Sequence, residues 1–209
     1  MTPTRKRSRS ARAALMGGSG AFVLVLAGCE QEQDLTFFET KEQCYRGAAV
    51  SGQLSEADCD EAFSEALAEH AVAAPRYESL ELCQEEHGEG VCGTPQQTGG
   101  ETDPQHGGSV FMPLMMGYMM GSMLSGGQSH AAGRPLYRDA KSGGWFTSNG
   151  ARTGFSGRPG GVTKGYASTL AAPRTTAIAA PMSRATVSQA GGFGAARSAA
   201  TSRSFSFGG

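Results

Sequence analysis

The amino-acid sequence predicts a small, mainly α, disulfide-stapled module. A Met/Gly-rich helical segment follows it, and then a largely disordered tail rich in Gly, Ala, Ser and Arg. Three observations carry that expectation. Cys44, Cys59, Cys83 and Cys92 cluster in a first half that is acidic and periodically apolar. Residues 110–124 form a run without a charge that holds six of the nine Met. Of the 31 Gly, 20 lie after residue 104, where complexity is low. The implied boundaries are a leader at 1–28, an acidic helical module at 29–93, a linker at 94–109, the Met/Gly segment at 110–125 and a basic tail at 126–209.

Charge follows the same division. The whole chain has a formal charge of −1, but residues 30–92 carry 16 acids against Lys41, Arg46 and Arg76, while residues 104–209 carry ten bases against Asp139. Such asymmetry points to an acidic module and a basic tail.

The leader begins with Arg5, Lys6, Arg7, Arg9 and Arg12 and continues through a small or apolar stretch whose greasiest part is 21–26. That is the charged and apolar order of an export signal, too short for a span of about 20 apolar residues. Leu26-Ala27-Gly28-Cys29 closes it and looks like a bacterial lipobox. The resemblance implies that Cys29 becomes the lipid-modified (palmitate-bearing) N-terminus, and that Glu30 directs it to the outer membrane. One chain binds a bilayer only marginally, whereas two or three hold.

The remaining four Cys, an even number in a short exported region, read as two disulfides. Phe38-Glu39-Thr40-Lys41-Glu42-Gln43-Cys44 is echoed by Tyr77-Glu78-Ser79-Leu80-Glu81-Leu82-Cys83. Thr40 and Ser79 are suited to cap short helices, with an acid in each first turn. The echo implies that each segment closes on itself, Cys44 with Cys59 and Cys83 with Cys92; crossed pairings stay open. Between them Ser55-Glu56-Ala57-Asp58 opens a helix whose stripe is Cys59, Phe63, Ala66, Leu67 and His70, with Glu61, Glu65 and Glu69 opposite and Pro75 at its end. Cys83, His87 and Cys92 also offer an alternative, a metal site. An oxidising compartment and the loose Cys spacing favour the disulfide and a surface His87. Glu85, Glu86 and Glu89 read as a solvated face. No metal or cofactor is expected, and no catalytic constellation stands out.

In the Met/Gly segment, Pro113 suits a first helical turn. Gly117 and Gly121 would then line a groove for a second helix, beside ridges that include Met116 and Met120. The expectation is helix packing or membrane contact through Pro113, Met116, Gly117, Met120 and Gly121. Beyond it, 144–166 offers one short hairpin around Ser148-Asn149-Gly150. The bases Arg174, Arg184, Arg197 and Arg203 are spread singly through a tail that reads as disordered. Export argues against nucleic acid as a partner.

The chain as a whole resembles the YgiB family of Gram-negative bacterial proteins. The resemblance rests on the LAGC-Glu start, on Ala74-Pro75-Arg76-Tyr77 and Gly88-Glu89-Gly90-Val91-Cys92, and above all on residues 111–121. Pro135-Leu136-Tyr137 and Gly191-Gly192-Phe193-Gly194 fit it as well. It implies an envelope protein without an established biochemical activity. The reading is therefore a lipid-anchored envelope protein with a structural or interaction role, facing the periplasm. Self-association or an envelope partner would act through the Met/Gly segment. The alternative is a metal-binding or enzymatic protein using Cys83, His87 and Cys92 or the Met run.

Overall fold

The computed structural model describes residues 32–52, 54–102, 109–125, 128–155, 158–170, 178 and 180–196. The leader, Cys29, Arg174, Arg197 and Arg203 lie outside that set.

Seven strands and six helices make up the described chain. They are β1 (Glu32–Phe38), α1 (Lys41–Ser51), α2 (Glu56–Ala73), α3 (Leu80–His87), β2 (Cys92–Gly93), α4 (Pro95–Thr98), β3 (Met112–Pro113), β4 (Gly117–Ser125), β5 (Gln128–Arg138), β6 (Trp145–Thr147), β7 (Val162–Tyr166), α5 (Ala167–Leu170) and α6 (Arg184–Ala190). A five-stranded sheet in the order β6-β5-β4-β1-β7 is antiparallel throughout and curls into a half-barrel. β2 and β3 pair separately. With 39% helix and 27% strand the fold is mixed, which corrects the expectation of a mainly α module.

The helix starts follow from local chemistry. Thr40 accepts from Gln43 N–H at 3.3 Å, and Ser79 from Leu82 N–H at 3.2 Å. Ser55 and Asp58 form a reciprocal capping box. α1 stops at Gly52, whose φ of +64° is left-handed. Of the pairings left open, the structure has Cys44 bonded to Cys59 and Cys83 to Cys92.

Residues alternate across the sheet and divide the core in two. Phe38, Tyr118, Met120 and Ala131 pack under α1 and α2, against Cys44, Ala48, Cys59, Ala62 and Ala66. Leu35, Phe37, Met119, Ala132 and Leu136 pack on the other side with Trp145, Phe155 and Leu170. A third cluster joins α3 and α6 to the sheet through Tyr77, Leu82, Met112, Tyr137, Val187 and Phe193.

The largest correction concerns the Met/Gly segment, which is not a helix. It supplies β3 and then β4, flanked on both sides by β1 and β5. A strand buried on both faces reads as a continuous apolar run, which periodicity cannot tell from a buried helix. Gly117 and Gly121 do share one face, as i and i+4 positions do in a strand too. Their missing side chains admit the chain's own residues. A Cβ at Gly117 would lie 2.5 Å from Phe37 Cε2, and one at Gly121 would lie 2.7 Å from Leu170 Cδ1 and 2.8 Å from Leu35 Cδ2. Met120 is buried, Met116 packs partly buried on the Phe37 side, and Pro113 is buried in β3 opposite Cys92. The expected helix–helix groove is therefore filled from within the fold.

The tail is corrected likewise for its described residues between 128 and 196. β5, β6, β7, α5 and α6 all come from it. The Ser148–Gly150 turn forms, with Gly150 N–H donating to Thr147 O at 3.0 Å and Thr153 N–H to Trp145 O at 2.8 Å. However, β6 pairs with β5 and β7 with β1, so 145–147 and 162–166 are not partners in a hairpin. Basic residues of the tail pair with the acidic half. Arg184 grips Glu85 at 2.6 and 2.7 Å, Lys141 meets Glu86 at 2.5 Å, and Lys164 meets Asp34 at 2.7 Å.

Candidate functional site

α1 and α2 roof β4, β5 and the end of β1 through Phe38, Tyr118, Met120 and Ala131, whereas Asp34 at the start of β1 and Val162 of β7 are exposed. Where the roof stops, a half-open groove of about 440 Å³ runs between helices and sheet. Phe38, Met120 and Ala131 form its floor, Gly47, Ser51 and Asp58 the helical wall together with Leu54 of the α1–α2 link, and Asp34, Thr36, Ser122 and Val162 the sheet wall. A second hollow of about 420 Å³ shares Phe38, Gly47 and Gly160 with it and continues to Arg46 and Val50. Gly47 matters here, because a Cβ on it would sit 3.2 Å from Phe38 Cε1. Val50 and Val162 at the mouth are among the exposed large apolar side chains.

Both acids of the groove already have partners. Asp34 is ion-paired with Lys164 at 2.7 Å. Asp58 accepts from Ser55 N–H at 2.8 Å and from Ser55 Oγ at 2.7 Å. Neither His nor Cys lines the groove.

Behind the roof lie two buried polar assemblies. α2 passes so close to β5 that a Cβ on Gly133 would fall 1.8 Å from Ala62 O. β6 covers only Leu136–Arg138 of β5, so farther along Glu65 takes over the strand edge and accepts Gly133 N–H at 3.1 Å. Arg134 NH1 lies 3.6 Å from Glu65 and 3.4 Å from Glu69, and its Nε–H donates to Leu170 O. Ser148 donates to Glu69 Oε1, while Glu69 Oε2 is buried without a hydrogen bond. Burial pushes Glu69 up to about 7, only partly opposed by Ser148 and Arg134. The sequence had placed Glu69 on the solvent side of its helix. It is buried because the 148–150 turn and the β5 edge close over that side.

The second assembly holds two histidines. His70 bonds to Tyr137 Oη at 2.9 Å and to Thr98 O at 2.7 Å. His87 bonds to Tyr77 Oη at 2.7 Å and to Arg138 O at 2.7 Å. A carbonyl accepts only, so His70 donates from Nε2 and His87 from Nδ1, and each tyrosine donates to the other nitrogen. Burial lowers both histidines, His87 to about 4. His87 is thus a neutral core residue against Phe193, at 4.8 Å between ring centres, and not a surface one. The Cys83 and Cys92 sulfurs are bonded to each other, so the trio is not gathered as three free ligands. Of the acidic face, Glu85 and Glu89 are exposed as expected, but Glu86 is buried, held by Lys141 and by Phe193 N–H at 2.8 Å.

Among the described residues no group of three or more His, Cys, Asp or Glu is placed to hold a metal ion, and no helix is long and apolar enough to cross a membrane. Glu69, Arg134, Glu86 and Tyr137 were missed by sequence reasoning. Glu65 and Glu69 one helical turn apart were visible, but nothing local marked which would be buried.

Residues 32–204, from the first strand past the last described helix, match proteins described as "Protein of unknown function (DUF1190)". The chain belongs to the DUF1190 family. Similar relatives are a UPF0441 protein of Serratia proteamaculans, 34% identical over 98% of this chain and 94% of its own length, and one of Sodalis glossinidius, 35% identical over 91% and 84%. A UPF0441 protein of Yersinia pestis is 34% identical over 95% and 90%. No solved structure matches. The DUF1190 match takes in all three core clusters, the groove and both disulfides of this chain.

Proposed function

We propose that this DUF1190 protein is a lipid-anchored, YgiB-like protein of the cell envelope. Acylated Cys29 holds it, at the outer membrane facing the periplasm, and its role is structural or interactive rather than catalytic. The observation that carries the reading is the basic and apolar leader ending in Leu26-Ala27-Gly28-Cys29, directly ahead of a domain stapled by two disulfides. Disulfides persist in oxidising compartments, which agrees with export. β1 starts at Glu32, three residues beyond Cys29. At up to about 3.5 Å per residue the tether would be roughly 10 Å long, so the folded domain would stand against the bilayer.

The Met/Gly segment is core in this fold, so contact with a partner or the membrane falls to the open side of the sheet, around Val50, Val162 and the groove. Cys29→Ser is the direct test. In cells fed labelled palmitate, the wild type should carry label in the membrane fraction, and the variant should accumulate as an unlabelled precursor. Undiminished labelling of the variant would refute anchoring at Cys29.

A further inference from the structure

We infer that the groove beside β1 shelters one of the acyl chains carried on Cys29, a reading that rests on the lipid anchor proposed above. Four observations converge on that occupant.

The first is position. The side chains of Asp34 and Thr36 line the groove, so the described chain begins at its edge, with Glu32 next on the same face of β1. Cys29 is three residues farther, within roughly 10 Å of Glu32 at full extension. The second is size. About 440 Å³ falls within the range of about 300–1,000 Å³ of small-molecule sites. The third is the apolar strip of Phe38, Met120 and Ala131, extended by Leu54 and by exposed Val162, which runs beside the polar Asp34, Thr36, Ser51, Asp58 and Ser122 of the same groove.

The fourth is charge, which separates this occupant from others. Asp34 and Asp58 stand in the walls, and Asp34 is already neutralised by Lys164. The cation Arg46 lines only the adjoining hollow. Asp58, bonded to Ser55 and to no cation among the described residues, disfavours an anionic head beside it, whether of a free fatty acid or a phospholipid. A chain tied to Cys29 through a thioether-linked glyceride or an amide brings none. The tether also raises its local concentration without any further contact. The remaining chains stay in the bilayer, so the groove lowers the apolar surface exposed whenever the protein leaves a membrane.

The test feeds intact cells a palmitate analogue bearing a diazirine, irradiates them, and maps adducts on the full-length protein by peptide sequencing. Label on Cys29 with adducts at Phe38, Met120 or Ala131 is the expected result. Ser122 is exposed at the groove wall, so Ser122→Trp should block the groove without touching the core. Groove adducts should then fall at least fivefold, with Cys29 label and both disulfides unchanged. Label on Cys29 with adducts confined to membrane lipids would overturn the inference and leave the anchor standing. Groove adducts undiminished in Ser122→Trp would overturn the assigned path. A wild type without label would overturn the anchor and this inference together.

Discussion

Glu69→Gln should change how stability depends on pH, and the structure gives the size and sign. Glu69 is buried beside Arg134, with one oxygen on Ser148 and the other without a hydrogen bond. Its carboxyl ionises near 7 in the folded state against 4.5 ordinarily. Because the folded value is the higher one, the native state binds the extra proton, and this group's contribution to stability is lost as pH rises from 4.5 to 7. At about 1.36 kcal/mol for each pH unit, the loss across that window is about 3 kcal/mol. His87 acts in the opposite direction. Its folded value of about 4 lies below the ordinary 6.5, so the unfolded chain binds the extra proton and stability is lost as pH falls from 6.5 to 4. In the shared window the two slopes nearly cancel, each close to one proton. Wild type should therefore have a shallow profile between pH 4.5 and 6.5, with the lowered His70 and, toward the acid end, the lowered carboxylates Glu42, Asp60 and Glu85 adding a further loss as pH falls. Glu69→Gln removes one slope and uncovers the other. The assay is urea unfolding of the oxidised protein at half-unit steps from pH 4.5 to 7.5. The difference between variant and wild type should grow by about 3 kcal/mol in favour of Gln from the acid to the neutral end. A constant offset across the range would refute the placement of a strained, buried carboxyl at this joint.

Other consequences are narrower. Gly133→Ala would press a Cβ onto the α2 backbone at 1.8 Å from Ala62 O; it should cost about 3 kcal/mol or more, read as a lowered unfolding midpoint. The buried Tyr118 hydroxyl has no hydrogen bond among the described residues, so Tyr118→Phe should raise stability by about 1 kcal/mol. Tyr137→Phe, which strips His70 of a donor, should lower it by a similar amount in the same thermal scan. Replacing Cys44 and Cys59 together by Ala opens a loop with a separation of 15 residues. The expected loss is about 3 kcal/mol, measured by denaturant unfolding.

Local features were legible in the sequence. Thr40, Ser55 and Ser79 announced three helix starts because capping is a short-range contact between a hydroxyl and an N–H two or three residues on. The internal echo pointed to the pairing the disulfides have. What escaped depends on distant neighbours. Residues 117–125 carry no mark of their own that decides strand over helix; β1 and β5 decide it. β5 also contains Pro135, which cannot donate to a ladder. Its nitrogen lies on the same edge as Gly133 N–H, turned away from β4, and β6 begins pairing only at Leu136. Only the β5 edge facing β4 needs every donor, so the proline is tolerated. The charge split was visible, but its use was not: Arg134, Lys141, Lys164 and Arg184 are spread over the tail and meet their acids only when it folds back. For the groove, Asp34, Gly47, Met120 and Val162 come from four separate elements, and no motif joins them.

The place of β1 has a consequence for the order of assembly. It is the first strand of the described chain, yet both its neighbours arrive late: Thr36 pairs with Met120, and Glu32 with Tyr166. The stapled pair of helices that follows β1 closes over only 15 residues and can form while the rest is still emerging. The sheet cannot, because closing loops of such length is slow and leaves strand edges uncovered meanwhile. On the export proposed above, a chain threaded N-terminus first would keep Leu35, Phe37 and Phe38 of β1 without their sheet neighbours until Val162–Tyr166 had followed. During that interval the apolar side chains and the edges of β1 stay uncovered, and that is when such a chain would most need a chaperone.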